Sequence, residues 1–153
     1  MALYLVQHGK SLSKDVDPEK GLSEEGIEEV ERIANVAKGY GIHVECIRHS
    51  GKKRARQTAE IFANALNPAG GVQEISGLNP LDDVIEFSST LLGRENHMLV
   101  GHLPFMERLT SYLITGSPDT PVLKFQNGGI VCLNHDPETN TCVIQWALMP
   151  RIE

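Results

Sequence analysis

The chain has 153 residues, a length that suits one domain, and we predict a single domain over residues 1–153. Its net charge of -6 and isoelectric point near 5.5 argue against a nucleic-acid partner or a membrane-surface partner, because both require a net basic face. No apolar stretch approaches the roughly 20 residues of a membrane-spanning helix, and no signal peptide is visible, so a cytoplasmic location is predicted.

The first predicted element is a strand that ends at a histidine. Residues 3–6 are apolar without polar alternation, as in a central strand covered on both faces. His8 and Gly9 follow, and a glycine there allows a sharp turn or the close approach of a ligand. Ligand crevices of open α/β sheets lie at the carboxyl ends of the strands, which makes His8 a candidate site residue. A lone histidine at a strand end is also compatible with a purely structural role.

A polar, turn-rich loop over residues 10–21 leaves the mouth of this strand and leads to an amphipathic helix. Ser23 is the predicted N-cap, and acidic residues occupy the first turn, where the helix dipole favours them. The apolar face then recurs at intervals of three and four until glycines end the helix near residues 39–41. We interpret this helix as scaffold with a solvated acidic face.

A second predicted strand, residues 43–47, leads into a basic helix start. Five basic residues lie within nine positions: Arg48, Lys52, Lys53, Arg54 and Arg56. The free N–H groups and positive dipole of a helix start, together with these charges, favour a phosphate cradle. A bare run of this kind is also typical of a solvated helix face. Its position directly after a strand that should lie beside the first one favours the cradle.

The next segment predicts a short edge strand at 72–75, a second loop at 76–83 and a helix through 84–92. Asp82 is most simply the cap of that helix, although Glu74, Asp82 and Asp83 are also the acids nearest the predicted site.

Residues 96–102 form another apolar run that ends in Gly101 and His102, and Leu103 and Pro104 begin the next helix. Two strand ends each present a histidine beside a glycine, and the basic helix start lies between them in the sequence. This arrangement indicates that the three features belong to one functional site.

The C-terminal part predicts strands at 123–125, 129–134 and 141–148, the last two joined by a turn at 136–140. The three cysteines have no spacing typical of a zinc site or a disulfide framework. Cys132 and Cys142 lie on the predicted hairpin, where a cross-strand pair is geometrically feasible, but buried free thiols are favoured.

Taken in order, these motifs resemble the histidine phosphatase superfamily, the phosphoglycerate-mutase-like fold, and its short branch typified by the SixA phosphohistidine phosphatases. Four stretches carry the resemblance: 3–9 for the family's Arg-His-Gly, 22–26 for its Leu-Thr-x-x-Gly, 50–58 for its Ser-x-x-x-Arg-Ala-x-Gln-Thr and 99–102 for its Gly-His. It implies an α/β three-layer sandwich with a mostly parallel central sheet and helices on both faces. It also implies that His8 is the nucleophile, Arg54 a phosphate-binding arginine and His102 a second histidine facing the phosphate.

The chain departs from the family motif at Gln7, where the family has arginine. The amide of Gln7 can still donate to a phosphate, so it is predicted to bind phosphate with His8, Arg54 and His102. It lacks the charge and the fork of a guanidinium, and loss of a comparable donor costs about 3 to 4 kcal/mol in other enzymes. The residues considered as compensating cations are Lys10, Arg48 and Arg56. The carboxylic proton donor of larger family members has no clear counterpart.

The resemblance implies a phosphatase that uses no metal or cofactor and acts through a phosphohistidine intermediate. The short chain leaves no room for the inserted cap of larger relatives, so we predict phosphohistidine or other phosphorylated protein side chains as substrates. The predicted partner is a phosphorylated protein, such as a histidine-containing phosphotransfer domain, with no nucleic acid or membrane. The alternative, motivated by Gln7, is a catalytically weakened phosphate- or phosphoprotein-binding module.

Overall fold

Strands and helices alternate through the first three quarters of the chain, and a hairpin follows. The computed structural model describes residues 2–152. In chain order the elements are β1 (Ala2–Gln7), α1 (Glu24–Gly39), β2 (Cys46–His49), α2 (Lys53–Leu66), β3 (Val72–Glu74), α3 (Val84–Ser88), a 3-10 turn (Ser89–Leu91), β4 (His97–Gly101), α4 (Phe105–Thr115), β5 (Ile130–Asp136) and β6 (Thr141–Leu148).

The six strands form one mixed sheet in the order β3-β2-β4-β1-β5-β6. The first four of these run parallel to one another, and β5 and β6 complete the sheet as antiparallel neighbours of β1 and β5. In the register of the two central strands Gln7 pairs with Gly101. The residues that follow β1, β2 and β4 therefore emerge at one edge of the sheet, here called the carboxyl edge.

Helices cover both faces of the sheet, because the sheet residues alternate between two apolar clusters. Tyr4 and Val6 pack with the apolar faces of α1 and α2, including Ile33 and Phe62. Leu5 belongs to the opposite cluster, which contains buried residues of α3 and α4: Val84, Phe87, Phe105, Met106 and Leu109. The predicted α/β three-layer architecture with a mostly parallel sheet is confirmed.

The helix predicted after Ser23 is also present, with the predicted cap. The Ser23 hydroxyl accepts the backbone N–H of Gly26, and Glu24 and Glu25 occupy the first turn. The second strand lies further along the chain than predicted, since β2 begins at Cys46. Cys46 pairs with His97, the first residue of β4, so a parallel partner strand starts only at that point.

Three other expectations are wrong in detail. Residues 123–125 form no strand, because the backbone N–H of Phe125 is bonded to the side chain of Glu107 at 2.8 Å. The helix after the second loop is shorter than predicted, and its cap is Asp83, whose carboxylate accepts two first-turn N–H groups. The carboxylate of Asp82 instead accepts from the backbone of Asn79.

The hairpin of β5 and β6 is present, and its cysteines are not opposite one another. Cys132 pairs in register with Trp146, and Cys142 pairs with His135. All three cysteines are free, so the cross-strand pair does not form. Within residues 2–152 no helix has both the length and the apolar character that crossing a membrane requires.

Candidate active site

The two histidines singled out in the sequence meet at the carboxyl edge. His8 follows β1 and His102 follows β4, and these strands are parallel neighbours. The backbone N–H of His8 continues the ladder by donating to the carbonyl of Gly101 at 3.0 Å. The two imidazole rings lie side by side, with centroids 5.0 Å apart and planes tilted by 51°. The sheet register therefore brings together two residues separated by most of the chain.

Arg54, in the first turn of α2, reaches the same place. Its Nε donates to Nε2 of His8 at 3.3 Å, while Nδ1 of His8 lies 2.7 Å from the carbonyl oxygen of Gly9. A carbonyl can only accept, so Nδ1 carries the ring proton and Nε2 holds the lone pair. The predicted nucleophile thus presents its unprotonated nitrogen to the side where the guanidinium lies.

Both histidines are held in the neutral form. Burial lowers the pKa of His8 to about 4, with the Gly9 carbonyl acting in the opposite direction and the charges of Arg54 and Lys20 adding to the decrease. Burial, with His8 and the nearby cations, lowers the pKa of His102 to about 3. His102 is 1% exposed, whereas His8 is only partly buried, so His8 is the more accessible of the two. At neutral pH the site contains two neutral imidazoles beside one guanidinium.

The polar residues that end the third motif connect α2 to the loop that follows His8. The hydroxyl of Thr58 accepts the backbone N–H of Gly9 at 3.0 Å and donates to the carbonyl of Arg54 at 2.8 Å. One threonine therefore fixes the position of the backbone next to the nucleophile and of the backbone of the arginine. The side-chain oxygen of Gln57 accepts the N–H of Leu22 at 2.7 Å, which ties the start of α1 to the same helix.

The second motif holds the backbone of Lys10 against α1. The carbonyl of Lys10 accepts the N–H of Ser23 at 2.9 Å, and a Cβ atom at Gly26 would collide with that carbonyl oxygen. A Cβ atom at Gly9 would lie 2.7 Å from the side chain of Val30. Glycine is needed at both positions because the backbone after His8 runs directly over the first turn of α1.

Sequence reasoning missed Asn127 and Gly128. The side-chain amide of Asn127 donates to the carbonyl of His8 at 3.0 Å, and the N–H of Gly128 donates to the carbonyl of Gln7 at 2.9 Å. Both residues precede β5, and their only signal in the sequence is a turn-prone Asn-Gly-Gly run. They hold the end of β1 from the side opposite β4.

Gln7 is 9% exposed, and its Oε1 is buried without a hydrogen-bond partner among residues 2–152. The structure records no hydrogen bond between its side chain and the other predicted phosphate-binding residues within that range. Two of the three cations considered as substitutes are engaged elsewhere: Lys10 pairs with Glu25 at 2.9 Å, and Arg56 lies near Glu60 on the surface of α2. The third, Arg48, has a buried Nε without a hydrogen-bond partner among residues 2–152, and its charge adds to the effect of burial in lowering the pKa of His97 at the start of β4.

The acidic residues near the carboxyl edge do not touch the histidine pair. Glu74 lies against Gly51, and Asp82 and Asp83 bond backbone N–H groups of their own loop. Among residues 2–152 no carboxylate forms a hydrogen bond or ion pair with His8, His102 or Arg54. No group of three or more His, Cys, Asp or Glu side chains in that range is arranged to hold a metal ion.

Comparison with known proteins places this geometry in one family. A model of the histidine phosphatase superfamily, branch 1, matches residues 3–82, which contain the first three motifs. The protein histidine phosphatase SixA, solved in complex with tungstate, is 27% identical and superposes with a TM-score of 0.85 over 98% of this chain and 97% of its own. No sequence among the curated proteins matches the chain.

Two other solved structures share the fold. A proposed SixA phosphohistidine phosphatase from Agrobacterium tumefaciens is 25% identical, with a TM-score of 0.76 over 97% of each chain. A phosphoserine phosphatase from Entamoeba histolytica, bound to 3-phosphoglyceric acid, is 17% identical, with a TM-score of 0.72 over 96% of each chain. The second likeness concerns the fold alone. The family match and the SixA likeness together support phosphatase activity.

Proposed function

The chain belongs to the histidine phosphatase superfamily, and we propose that it removes phosphoryl groups from phosphohistidine or other phosphorylated protein side chains through a phosphoenzyme on His8. The observation that carries the proposal is the state of His8. Its Nδ1 is tied to the Gly9 carbonyl, and its Nε2 lone pair faces Arg54, so a neutral nucleophile stands next to a cation that can bind the phosphoryl oxygens.

In the first step Nε2 of His8 attacks phosphorus, and an N–P bond forms while the bond from phosphorus to the leaving group breaks and its electron pair departs with that group. In the second step water attacks the phosphohistidine, a P–O bond forms, and the N–P bond breaks with its electron pair returning to Nε2. One proton of the attacking water passes to a phosphate oxygen or to solvent. Arg54 neutralises the negative charge on the equatorial oxygens in both steps. The N-cap residue of α2, Lys52, places no side chain on the first-turn N–H groups, and the N–H of Ala55 donates to the Lys52 carbonyl at 3.0 Å. The N–H groups of Lys53 and Arg54 are left available for the same anion. We propose that these groups suffice without a metal.

The leaving group favours phosphoramidates. The imidazole of a phosphohistidine departs with less help from a strong acid than an alkoxide does, and no carboxylate among residues 2–152 is hydrogen-bonded to the histidine pair. The likeness to SixA, a protein histidine phosphatase, extends over 98% of this chain. The proposed partner is accordingly a phosphorylated protein, for example a histidine-containing phosphotransfer domain.

The test is phosphate release from a phosphohistidine-containing protein, a phosphoserine peptide and an aryl phosphate, by wild type, His8→Ala and His43→Ala. His43 is exposed and lies outside the site, so its variant is the matched control. We expect His8→Ala to lose turnover on every substrate and His43→Ala to retain it. The wild type, quenched under alkaline conditions during turnover, should carry one acid-labile phosphate. Full activity of His8→Ala would contradict the proposed nucleophile, and a preference for phosphoserine would contradict the preference for phosphoramidates argued from the leaving group.

A second candidate function is a phosphate-binding module with little turnover. It is favoured by Gln7, which brings no positive charge and leaves a buried oxygen without a partner among residues 2–152. A protein that binds vanadate or a phosphoprotein tightly but releases no phosphate from any of the three substrates would identify this function.

A further inference from the structure

An open groove lies between the loop that follows β3 and the start of α4. Its volume is about 570 Å³, and the residues that line it include Leu81, Ile85, Pro104, Arg108 and Pro118. Leu81 is 89% exposed and Ile85 is 50% exposed, although both side chains are apolar. Isolated exposed apolar residues are ordinary, but two large ones on the same groove are typical of a surface that contacts another molecule.

The backbone holds both apolar side chains in fixed positions. Asn79 and Asp82 close a turn around Leu81. The N–H of Asp82 donates to the Asn79 carbonyl at 3.1 Å, and the Asp82 carboxylate accepts the Asn79 N–H at 2.9 Å. Asp83 caps α3 by accepting the N–H of Ile85 at 2.9 Å. Side chains on a rigid backbone lose little conformational freedom when a partner covers them, so this surface is preorganised for binding.

The groove lies beside the histidine pair. Because β3 runs parallel to β2, the loop after β3 emerges at the carboxyl edge, as His8 and His102 do. This loop lies over the end of β4, since a Cβ atom at Gly101 would be 3.5 Å from the Leu78 carbonyl oxygen. On the other side of the groove, Pro104 follows His102 by two residues, so their Cα atoms are at most about 7 Å apart.

The unpaired charges of the groove are acidic. The Arg108 guanidinium is neutralised by Asp119, whose carboxylate lies 2.6 Å away. The carboxylates of Asp82 and Asp83 bond backbone N–H groups, and neither forms an ion pair with a cation among residues 2–152. These charges favour a partner that brings basic side chains to the rim of the groove.

A protein bound across the histidine pair extends over this groove. A standard interface covers roughly 800 Å² of each partner, which corresponds to a disc of about 16 Å radius. We propose that the groove is the docking surface for the phosphoprotein substrate, which seats apolar side chains against Leu81 and Ile85. Basic side chains of the substrate lie opposite Asp82 and Asp83. This inference rests on the proposed function and specifies the surface that the substrate presents around its phosphorylated residue.

The test compares kcat/KM on a large and a small substrate. The large one is a histidine-containing phosphotransfer domain phosphorylated on its histidine, and the small one is an aryl phosphate, which cannot reach the groove. The variants are Leu81→Ser and Ile85→Ser. Val143→Ser is the control, because Val143 is also an exposed apolar residue and lies on β6, at the edge of the sheet opposite β3.

We expect Leu81→Ser to lower kcat/KM on the phosphoprotein about 10-fold and Ile85→Ser about 3-fold, in both cases through KM, as for the loss of buried contacts at an interface. Activity on the aryl phosphate should stay within about 2-fold of wild type in every variant, which also shows that each variant is folded. Val143→Ser should match wild type on both substrates.

A further variant tests the charges of the groove. Asp82→Asn removes a negative charge but keeps an oxygen that can accept the Asn79 N–H. We expect it to lower kcat/KM on the phosphoprotein at low ionic strength and to match wild type at about 0.5 M salt, where such interactions are screened. An increase at low ionic strength would overturn the assignment of a basic partner surface.

The outcomes separate this inference from the proposed function. Wild-type activity of Leu81→Ser on the phosphoprotein would overturn the docking surface. An equal decrease on the phosphoprotein and on the aryl phosphate would also overturn it, because the effect would then lie in the active site. A wild type that hydrolyses the aryl phosphate alone would overturn this inference, and one that releases phosphate from neither substrate would contradict the proposed function itself.

Discussion

The dependence of activity on pH distinguishes a buried neutral nucleophile from an unperturbed histidine. Burial lowers the pKa of His8 to about 4, against 6.5 for an unperturbed imidazole. At pH 5 about 90% of His8 is then neutral, compared with about 3% of an unperturbed histidine. The second-order rate constant kcat/KM, corrected for the ionisation of the substrate, should therefore stay nearly constant from pH 7 to pH 5. An unperturbed nucleophile would lose half of its activity near pH 6.5 and nearly all of it by pH 5.

The same shift predicts a loss of stability in acid. A histidine whose pKa is lower in the folded state binds its proton more readily when unfolded. The free energy of unfolding therefore has its full value above pH 6.5 and decreases as the pH falls towards the pKa values of the folded state. The pKa of His102, lowered chiefly by burial to about 3, acts in the same direction. Together the two histidines should reduce the free energy of unfolding by about 3 kcal/mol between pH 6.5 and pH 5. Burial also lowers the pKa values of His49 and His97, which adds to this decrease.

Urea denaturation and kinetics at the same pH values measure both effects. His8→Asn and His102→Asn should each reduce the slope of unfolding free energy against pH by about 1 kcal/mol per pH unit near pH 5. His43→Asn, a substitution of an exposed histidine, is the control and should leave the slope unchanged. A fall of kcat/KM centred at pH 6.5, together with an unchanged slope in His8→Asn, would refute the assignment of His8 as a buried neutral nucleophile.

Two further predictions concern the charges of the site. Arg54→Ala should weaken vanadate binding by about 1.5 to 3 kcal/mol, as for a lost charged contact, whereas Lys52→Ala and Lys53→Ala should change it by close to zero. Equal losses in all three variants would indicate that the basic cluster acts through its total charge and not through a specific contact of Arg54. Gln7→Arg should raise kcat/KM on aryl phosphates and tighten vanadate binding, because it adds a guanidinium where the family has one. A decrease in kcat/KM and in vanadate affinity would show that another group occupies that space, and no change in either would show that the side chain of residue 7 points away from the site.

The central strands and the proximity of His8 and His102 were predictable because the sequence marks the end of each strand. An apolar run that stops at a histidine and a glycine specifies both the burial of the strand and the polarity of its carboxyl end. The alternation of strands with helices then implies parallel neighbours, and parallel neighbours bring their carboxyl ends to one edge. Arg54 was predictable for a related reason, since it lies in the first turn of the helix that follows a strand of the same parallel sheet. The expectation that this strand lies beside β1 is wrong, because β4 is inserted between β2 and β1.

The contacts that hold the site together were not predictable from spacing. Thr58 contributes through a hydroxyl bonded to a glycine 49 residues away, and Asn127 through an amide bonded to a carbonyl 119 residues away. Such bonds depend on the final docking of α2 and of the segment before β5, and neither alters the local hydrophobic pattern. The strand predicted at 123–125 is absent because a tertiary contact overrides a misleading local pattern. Its apolar residues resemble a strand, yet Glu107 of α4 takes the backbone N–H that a strand would pair.

The position of Gln7 links the fold to the chemistry of the site. Its backbone is fixed by Gly101 on one side and Gly128 on the other, so the start of its side chain cannot be moved without disturbing β1. Its Oε1 is buried without a partner among residues 2–152, and an unsatisfied buried acceptor costs about 1 to 3 kcal/mol. A family site without its first guanidinium would rely on Arg54 and on neutral donors such as the first-turn N–H groups of α2. Neutral donors stabilise a phosphoryl transition state less than a second cation does, which favours substrates with good leaving groups, and phosphohistidine is one of these.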